Sequence, residues 1–147
     1  MYRGNYSNSI DGKGRCILPA KFRPLLGERC VLVNGFDPCV YLFSVEDYDA
    51  YVKEYIVPLP DEDDAAAKVK FYFYSSVYEC DIDAQGRITI PQKFLDHANI
   101  VKEMENIGFS NRIEIWAKQD HSAHMEDILK KDIKALRKQT LHYRVKP

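Results

Sequence analysis

The sequence predicts a mixed α+β protein, mainly β, in which two tandem copies of one unit form a single pseudo-two-fold β-barrel with flanking helices. Three observations carry this. Asp11-Gly12-Lys13-Gly14-Arg15-Cys16-Ile17-Leu18-Pro19-Ala20-Lys21-Phe22 recurs as Asp83-Ala84-Gln85-Gly86-Arg87-Ile88-Thr89-Ile90-Pro91-Gln92-Lys93-Phe94, at a constant offset of 72 and with Asp, Gly, Arg, Pro, Lys and Phe matched without a gap. Downstream, Val40-Tyr41-Leu42-Phe43 aligns with Ile113-Glu114-Ile115-Trp116 at an offset of 73. Each copy, about 45 residues long, offers short strands and one small helix. That is too little to bury a core alone, so the copies are expected to interleave strands about an approximate two-fold axis.

Each copy reads strand, turn, strand, helix, strand, strand. First strands are expected near Tyr6–Ile10 and Val77–Ile82, and second strands at Arg15–Leu18 and Arg87–Ile90. The turn between them needs a residue that tolerates positive φ, supplied by Gly14 and Gly86. Pro19 and Pro91 end the second strands and suit the first turn of a helix, expected over Ala20–Leu25 and Gln92–Ala98. Further strand pairs are expected at Cys30–Val33 with Val40–Ser44, and at Met104–Phe109 with Arg112–Trp116. Between the copies, Val45–Tyr55 reads as helix and Pro58-Leu59-Pro60 breaks it. Asp61-Glu62-Asp63-Asp64 then opens a second helix through Ala65-Ala66-Ala67, its acids matching the positive end of the helix dipole. Phe71-Tyr72-Phe73-Tyr74 with Tyr78 is expected in the core or at a subunit interface. From about Asp120 the tail reads helical and basic, with Lys130, Lys131, Lys134, Arg137, Lys138, Arg144 and Lys146 against Asp132.

The 147 residues are 46% hydrophobic and 29% charged, which excludes disordered, collagen-like and disulfide-scaffold classes. No apolar run approaches the ~18 residues of a membrane span. The opening Met1-Tyr2-Arg3-Gly4-Asn5-Tyr6 lacks the apolar core of a signal peptide. A cytoplasmic protein with no membrane partner is therefore expected. Cys16, Cys30, Cys39 and Cys80 form no Cys-x-x-Cys pair and are expected to be reduced, packed thiols. The net charge of −1 hides segregation. Residues 1–29 carry six bases against two acids, net +4, whereas residues 44–64 carry Lys53 against eight acids, net −7. A basic amino-terminal face suits phosphate contact. Around the second motif, over residues 81–95, the charges balance.

Asp-x-x-x-Arg occurs at Asp11…Arg15 and Asp83…Arg87. A tight turn displaying Arg suits bidentate contact with phosphate or the major-groove edge of guanine, with the Asp accepting turn amides or holding the Arg. The same pattern also fits a structural turn with a surface ion pair and nothing bound. Asp81-x-Asp83-x-Gln85-Gly86 imitates the start of a calcium loop but places Gln92 where the bidentate Glu belongs. His121 and His124 lack a third ligand nearby. Nucleophile-elbow, H-E-x-x-H and P-loop motifs are absent from the sequence. No catalytic residue, metal, cofactor or small-molecule substrate is expected, and the chain reads as non-enzymatic.

These residues resemble the MraZ family of bacterial transcriptional regulators. The resemblance rests on Arg3-Gly4-Asn5-Tyr6, Ser9-Ile10-Asp11, Lys13-Gly14-Arg15 and Leu18-Pro19-Ala20-Lys21-Phe22-Arg23 in the first half. In the second it rests on Cys80-Asp81-Ile82-Asp83, Gln85-Gly86-Arg87-Ile88, Ile90-Pro91 and Arg112-Ile113-Glu114-Ile115-Trp116, and it covers roughly residues 1–120. It implies that each half is an AbrB-like (SpoVT/AbrB) swapped-hairpin unit: 5–47 the first, 48–75 a helical spacer, 76–119 the second and 120–147 a basic helical tail. It implies a homo-oligomeric ring, often octameric, that binds repeated double-stranded promoter sites upstream of the division and cell-wall gene cluster and associates with the nucleoid. Asp11/Arg15 and Asp83/Arg87 match the family hallmarks.

The expected DNA-binding set follows. Arg15 contacts base edges or phosphate, held by Asp11, while Lys13, Arg3, Lys21 and Arg23 lie on the phosphate backbone. Arg87, with Asp83 and Lys93, takes a weaker or structural role, because Gln85 stands where the first copy has Lys13. Two rivals remain. An enzyme would need a nucleophile, metal or convergent carboxylates. A non-enzymatic, antitoxin-like interaction module would dock through the acidic spacer or the tail.

Overall fold

The computed structural model describes residues 1–143, and Arg144 and Lys146 of the expected basic tail lie outside them. The first half runs β1 (Tyr2–Ser9), β2 (Arg15–Ile17), α1 (Arg23–Leu26), β3 (Arg29–Asn34) and β4 (Val40–Ser44). The connecting segment holds α2 (Val45–Tyr51) and α3 (Asp64–Ser75). The second half runs β5 (Tyr78–Asp81), β6 (Arg87–Thr89), α4 (Gln92–His97), β7 (Glu103–Ser110) and β8 (Ile113–Ala117), followed by α5 (Lys118–Leu129) and α6 (Ile133–Gln139). The protein is thus mixed α and β, with a mainly antiparallel sheet.

The strands interleave. Six form one sheet in the order β1-β7-β8-β4-β3-β5, and β2 pairs with β6 in a separate two-stranded ribbon. The first strand of each copy pairs with the third of the other, β1 with β7 and β5 with β3. Where equivalent strands meet, equivalent residues face each other: Cys16 pairs with Ile88, and Tyr41 with Glu114. The approximate two-fold axis therefore passes through both ladders. Among the described residues no ladder joins β1 to β5, so the hydrogen-bonded sheet stays open. The three-residue β2 and β6 spend their pairing on each other and pack beside β1 and β5.

Partner strands and prolines explain where elements depart from expectation. β1 begins at Tyr2 rather than Tyr6, because β7 offers a partner from Tyr2↔Ser110 through Ser9↔Glu103. The helix expected from Ala20 begins at Arg23. Phe22 N–H donates to the Pro19 carbonyl in a turn (3.0 Å), and Pro24 then occupies the first helical turn. The helix expected over Val45–Tyr55 is α only to Tyr51. A π-turn over Val52–Ile56 follows, with Val57 N–H donating to the Val52 carbonyl at 2.9 Å. Asp63 caps α3 by accepting from Ala66 N–H at 3.0 Å, as the acidic run suggested. The tail starts at Lys118 and breaks where Asp132 caps α6.

Both faces of the central strands are covered. Cys30, Leu32, Val40 and Leu42 pack against Leu18, Phe22, Ile88, Ile90, Phe94 and Met104, drawn from both copies. Their alternates Val31, Val33, Tyr41 and Phe43 pack with Ile56, Phe73 and Trp116 beneath the connecting helices. Of the aromatic run, Phe73 is fully buried, whereas Phe71 is 77% exposed. All four cysteines are free and buried, as expected.

Candidate nucleic-acid interface

The two repeated turns fold identically. Asp11 Oδ1 accepts from the amides of Lys13 (2.9 Å) and Arg15 (2.8 Å), and Asp11 Oδ2 accepts from Arg15 Nε (2.8 Å). Asp83 does the same: Oδ1 accepts from the amides of Gln85 and Arg87 (2.9 Å each), and Oδ2 from Arg87 Nε (2.8 Å). Gly14 and Gly86 take φ of 77° and 78°, which L side chains rarely adopt. Each glycine carbonyl also leaves its own copy: Gly86 O accepts from Leu18 N–H (2.9 Å) and Gly14 O from Ile90 N–H (2.7 Å). Each turn is therefore clamped by the strand end of the other half.

The β2–β6 ribbon carries both arginines outward. Strand alternation sends Cys16 and Ile88 into the core and leaves Arg15, Ile17, Arg87 and Thr89 on the opposite face. The Arg15 and Arg87 side chains remain 35% and 32% accessible. In each, Nε is committed to the aspartate, while the terminal nitrogens have no protein hydrogen-bond partner among the described residues. The result is two oriented guanidinium forks, related by the approximate two-fold axis.

The turn amides, that of the arginine foremost, hold the Asp11 and Asp83 carboxyls below the ordinary carboxylate range. A depressed carboxylate favours the folded turn above the unfolded-state value, and that contribution is lost as pH falls through the folded-state value. Carboxyl-carbon NMR titration is expected to show both side chains protonating at lower pH than free aspartate. Ordinary midpoints would mean the clamp does not hold in solution.

The remaining expected residues are divided. Lys13 is exposed on the first turn. Arg3 and Lys21 are brought together, lining a cleft of about 480 Å³ with Tyr6 and Phe22. Arg23 is drawn to the second turn instead. Its guanidinium approaches the Gln85 carbonyl (3.5 Å) and covers Gly86, where a Cβ would collide with it. Lys93 sits 5.1 Å from the Phe94 ring centroid and borders a different groove, beside Phe71 and Tyr72. Sequence reasoning passed over Ile17, 56% exposed between the two arginines, together with Thr89 and Asn8, whose Nδ2 donates to the Ile17 carbonyl (2.9 Å). Period-two alternation from Arg15 and Arg87 was the signal for the first two.

Among the described residues, no group of three His, Cys, Asp or Glu side chains is placed to hold a metal ion. Among them, too, no helix is long and apolar enough to cross a membrane. Comparison with known proteins adds a consistent picture. The family model for the MraZ protein, described as antitoxin-like, matches residues 1–70 and again residues 73–142. The chain is 45% identical over 120 residues to a protein named Transcriptional regulator MraZ from Thermoanaerobacter sp. (strain X514), covering 81% of this chain and 82% of that one. It is 41% identical over 128 residues to the protein of that name from Caldicellulosiruptor saccharolyticus, covering 86% and 88%. It is 43% identical over 120 residues to that from Caldanaerobacter subterraneus subsp. tengcongensis.

Proposed function

The chain belongs to the MraZ family, and from that premise we propose that it is a sequence-specific DNA-binding transcriptional regulator that grips double-stranded promoter repeats through its β2–β6 ribbon. The observation that carries this is the pair of aspartate-held arginines on one two-stranded face, both with terminal nitrogens that have no hydrogen-bond partner among the described residues. A two-stranded ribbon fits the major groove, and an Arg fork reads guanine O6 and N7 bidentately. Arg15 and Arg87 are assigned to base edges or phosphate, with Ile17 between them suited to a thymine methyl. Lys13, Arg3 and Lys21 are assigned to the phosphate backbone. Asp11 and Asp83 are positioning residues. Arg23 acts by supporting the second turn, and Lys93 lies peripheral to this contact.

The family resemblance supports the finer parts of this reading. The target is the promoter of the division and cell-wall gene cluster, and the site of action is the cytoplasm, at the nucleoid. The two units, 5–47 and 76–119, form one pseudo-two-fold barrel of AbrB-like type, with 48–75 as spacer and 120–147 as tail. The interleaved ladders and the packing of β2 on β1 and of β6 on β5 support that description. One ribbon makes few contacts, so a homo-oligomeric ring facing several repeats is proposed to raise avidity through effective concentration.

The test is a fluorescence-anisotropy titration against promoter DNA with and without tandem repeats, at two salt concentrations. Affinity is expected to fall as salt rises, since each neutralised phosphate releases counterions, and to be highest for the repeat array. No affinity even at low salt would overturn the proposal. Because the family description is antitoxin-like, the second reading is a protein-interaction module without enzymatic activity. A stoichiometric second protein on purification, with no DNA affinity at low salt, would favour it.

A further inference from the structure

One pair of side chains in the core is not accounted for by the DNA contact. Cys30 on β3 and Cys80 on β5 face each other directly across the ladder, with their sulfurs 3.2 Å apart. The pair has no counterpart in the matching ladder. There, the repeat equivalent of Cys80 is Asn8, and it stands opposite Met104. The interleaved fold therefore does not require a thiol pair at this position. We infer that Cys30 and Cys80 are a redox modification site, closing under peroxide to a reversible disulfide that staples the first half of the chain to the second.

The geometry favours closure. Ladder partners have Cα atoms about 4.5–5.5 Å apart, within the ~4.4–6.8 Å that a disulfide spans. The sulfurs must approach from 3.2 Å to the ~2.05 Å of an S–S bond, about 1 Å of side-chain adjustment. β5 is four residues long and lies at the edge of the sheet, so it is the strand whose opening exposes the pair at least cost.

The two sulfurs differ in character. Cys30 is completely buried, whereas Cys80 keeps 9% exposure. With Cys30 as the donor, the thiol hydrogen bond favours the Cys80 thiolate against the opposing effects of burial and the Asp81 carboxylate, with a smaller contribution from the Arg29 guanidinium; Cys30 itself is held protonated. Arg29 spans the ladder to Glu79 (3.5 Å) and Asp81 (3.0 Å), on either side of Cys80. Cys80 is thus the attacking sulfur and Cys30 the resolving one.

The chemistry balances with hydrogen peroxide as the oxidant. The Cys80 thiolate attacks one peroxide oxygen, the O–O bond breaks, and the departing hydroxide takes a proton to become water, leaving Cys80 as a sulfenic acid. The Cys30 sulfur then attacks the Cys80 sulfur, the S–O bond breaks, and the hydroxyl leaves as water with the Cys30 proton. Two thiols and one peroxide give one disulfide and two waters. Cys16 shares the same cluster, but burial pushes its thiol up to about 12, so it stays protonated and unreactive.

The test treats the reduced, folded full chain with hydrogen peroxide, alkylates free thiols and maps peptides without reduction. The expected result is a mass loss of about 2 Da, a Cys30–Cys80 linked peptide and full reversal by a thiol reductant. Cys16→Ser should behave as wild type. Cys30→Ser, with its fold checked by circular dichroism, should leave Cys80 as a sulfenic acid trapped by dimedone. Four free thiols after peroxide treatment of the native chain would overturn the inference, as would a linkage that uses Cys16 or joins two chains. If Cys30→Ser fails to fold, the wild-type peptide map decides alone.

Discussion

Arg15→Ala is expected to lower affinity for a single promoter site by about 5- to 150-fold, the ~1–3 kcal/mol of one bidentate base contact. On a repeat array the loss recurs at every engaged subunit, so specific binding there should vanish. The side chain is 35% accessible and its partner is an exposed aspartate, so the fold loses only a surface ion pair. Far-UV circular dichroism, thermal midpoint and molecular mass in solution should match the wild type. The matched clamps, 2.8 Å from Nε to aspartate in both copies, argue that Arg87→Ala costs as much. That departs from the lesser role suggested by Gln85 in place of Lys13. An Arg87→Ala protein binding like wild type would return the second turn to a structural role. Unchanged affinity in Arg15→Ala would remove the ribbon from the interface altogether. Asp11→Asn separates positioning from charge: it keeps the side-chain shape, removes the negative charge, and should cost affinity although it makes the surface more basic.

The repeat made most of this architecture legible. Asp11 to Phe22 and Asp83 to Phe94 predicted two identical turns, and the turns agree to within 0.2 Å in every equivalent hydrogen bond, the pair of carbonyl contacts between the halves included. Glycine at the positive-φ position and Asp three residues earlier are local requirements, and local chemistry is what a sequence displays directly. Interleaving was foreseeable because neither copy can enclose a core. The ladder order β1-β7-β8-β4-β3-β5 was not, since it depends on which distant strand each edge meets. Arg23 illustrates the same limit. By charge and position it reads as one more phosphate contact, yet it lies over Gly86, whose absent side chain leaves room for it. Lys93, the repeat equivalent of Lys21, diverges because its neighbours come from α3, an element without a counterpart at the first copy's Arg3 cleft.

The largest effect on stability is expected at Glu114. Its side chain is 9% accessible and that of Arg112 is 14%. Glu114 Oε2 accepts from Arg112 Nη2 (2.6 Å) and Nε (3.1 Å), while Oε1 accepts from the Trp116 indole N–H (3.1 Å). The Arg112 guanidinium lies between the rings of Tyr41 (4.6 Å) and Phe109 (4.4 Å), so its stem and its charge are both enclosed. Glu114→Ala strands that cation and leaves the buried indole N–H without an acceptor. Removing one partner of a buried pair costs about 3–5 kcal/mol, or roughly 6–20 °C in thermal midpoint for a chain of this size. Arg112→Met keeps apolar bulk between the two rings but leaves the carboxylate uncompensated. The double variant should therefore be less damaging than the two single losses added together, because neither charge is then left alone. Thermal denaturation of all four proteins in one buffer measures the coupling directly. Additive losses would mean that Glu114 and Arg112 act independently, and that the aromatic enclosure, rather than the ion pair, holds this end of β8.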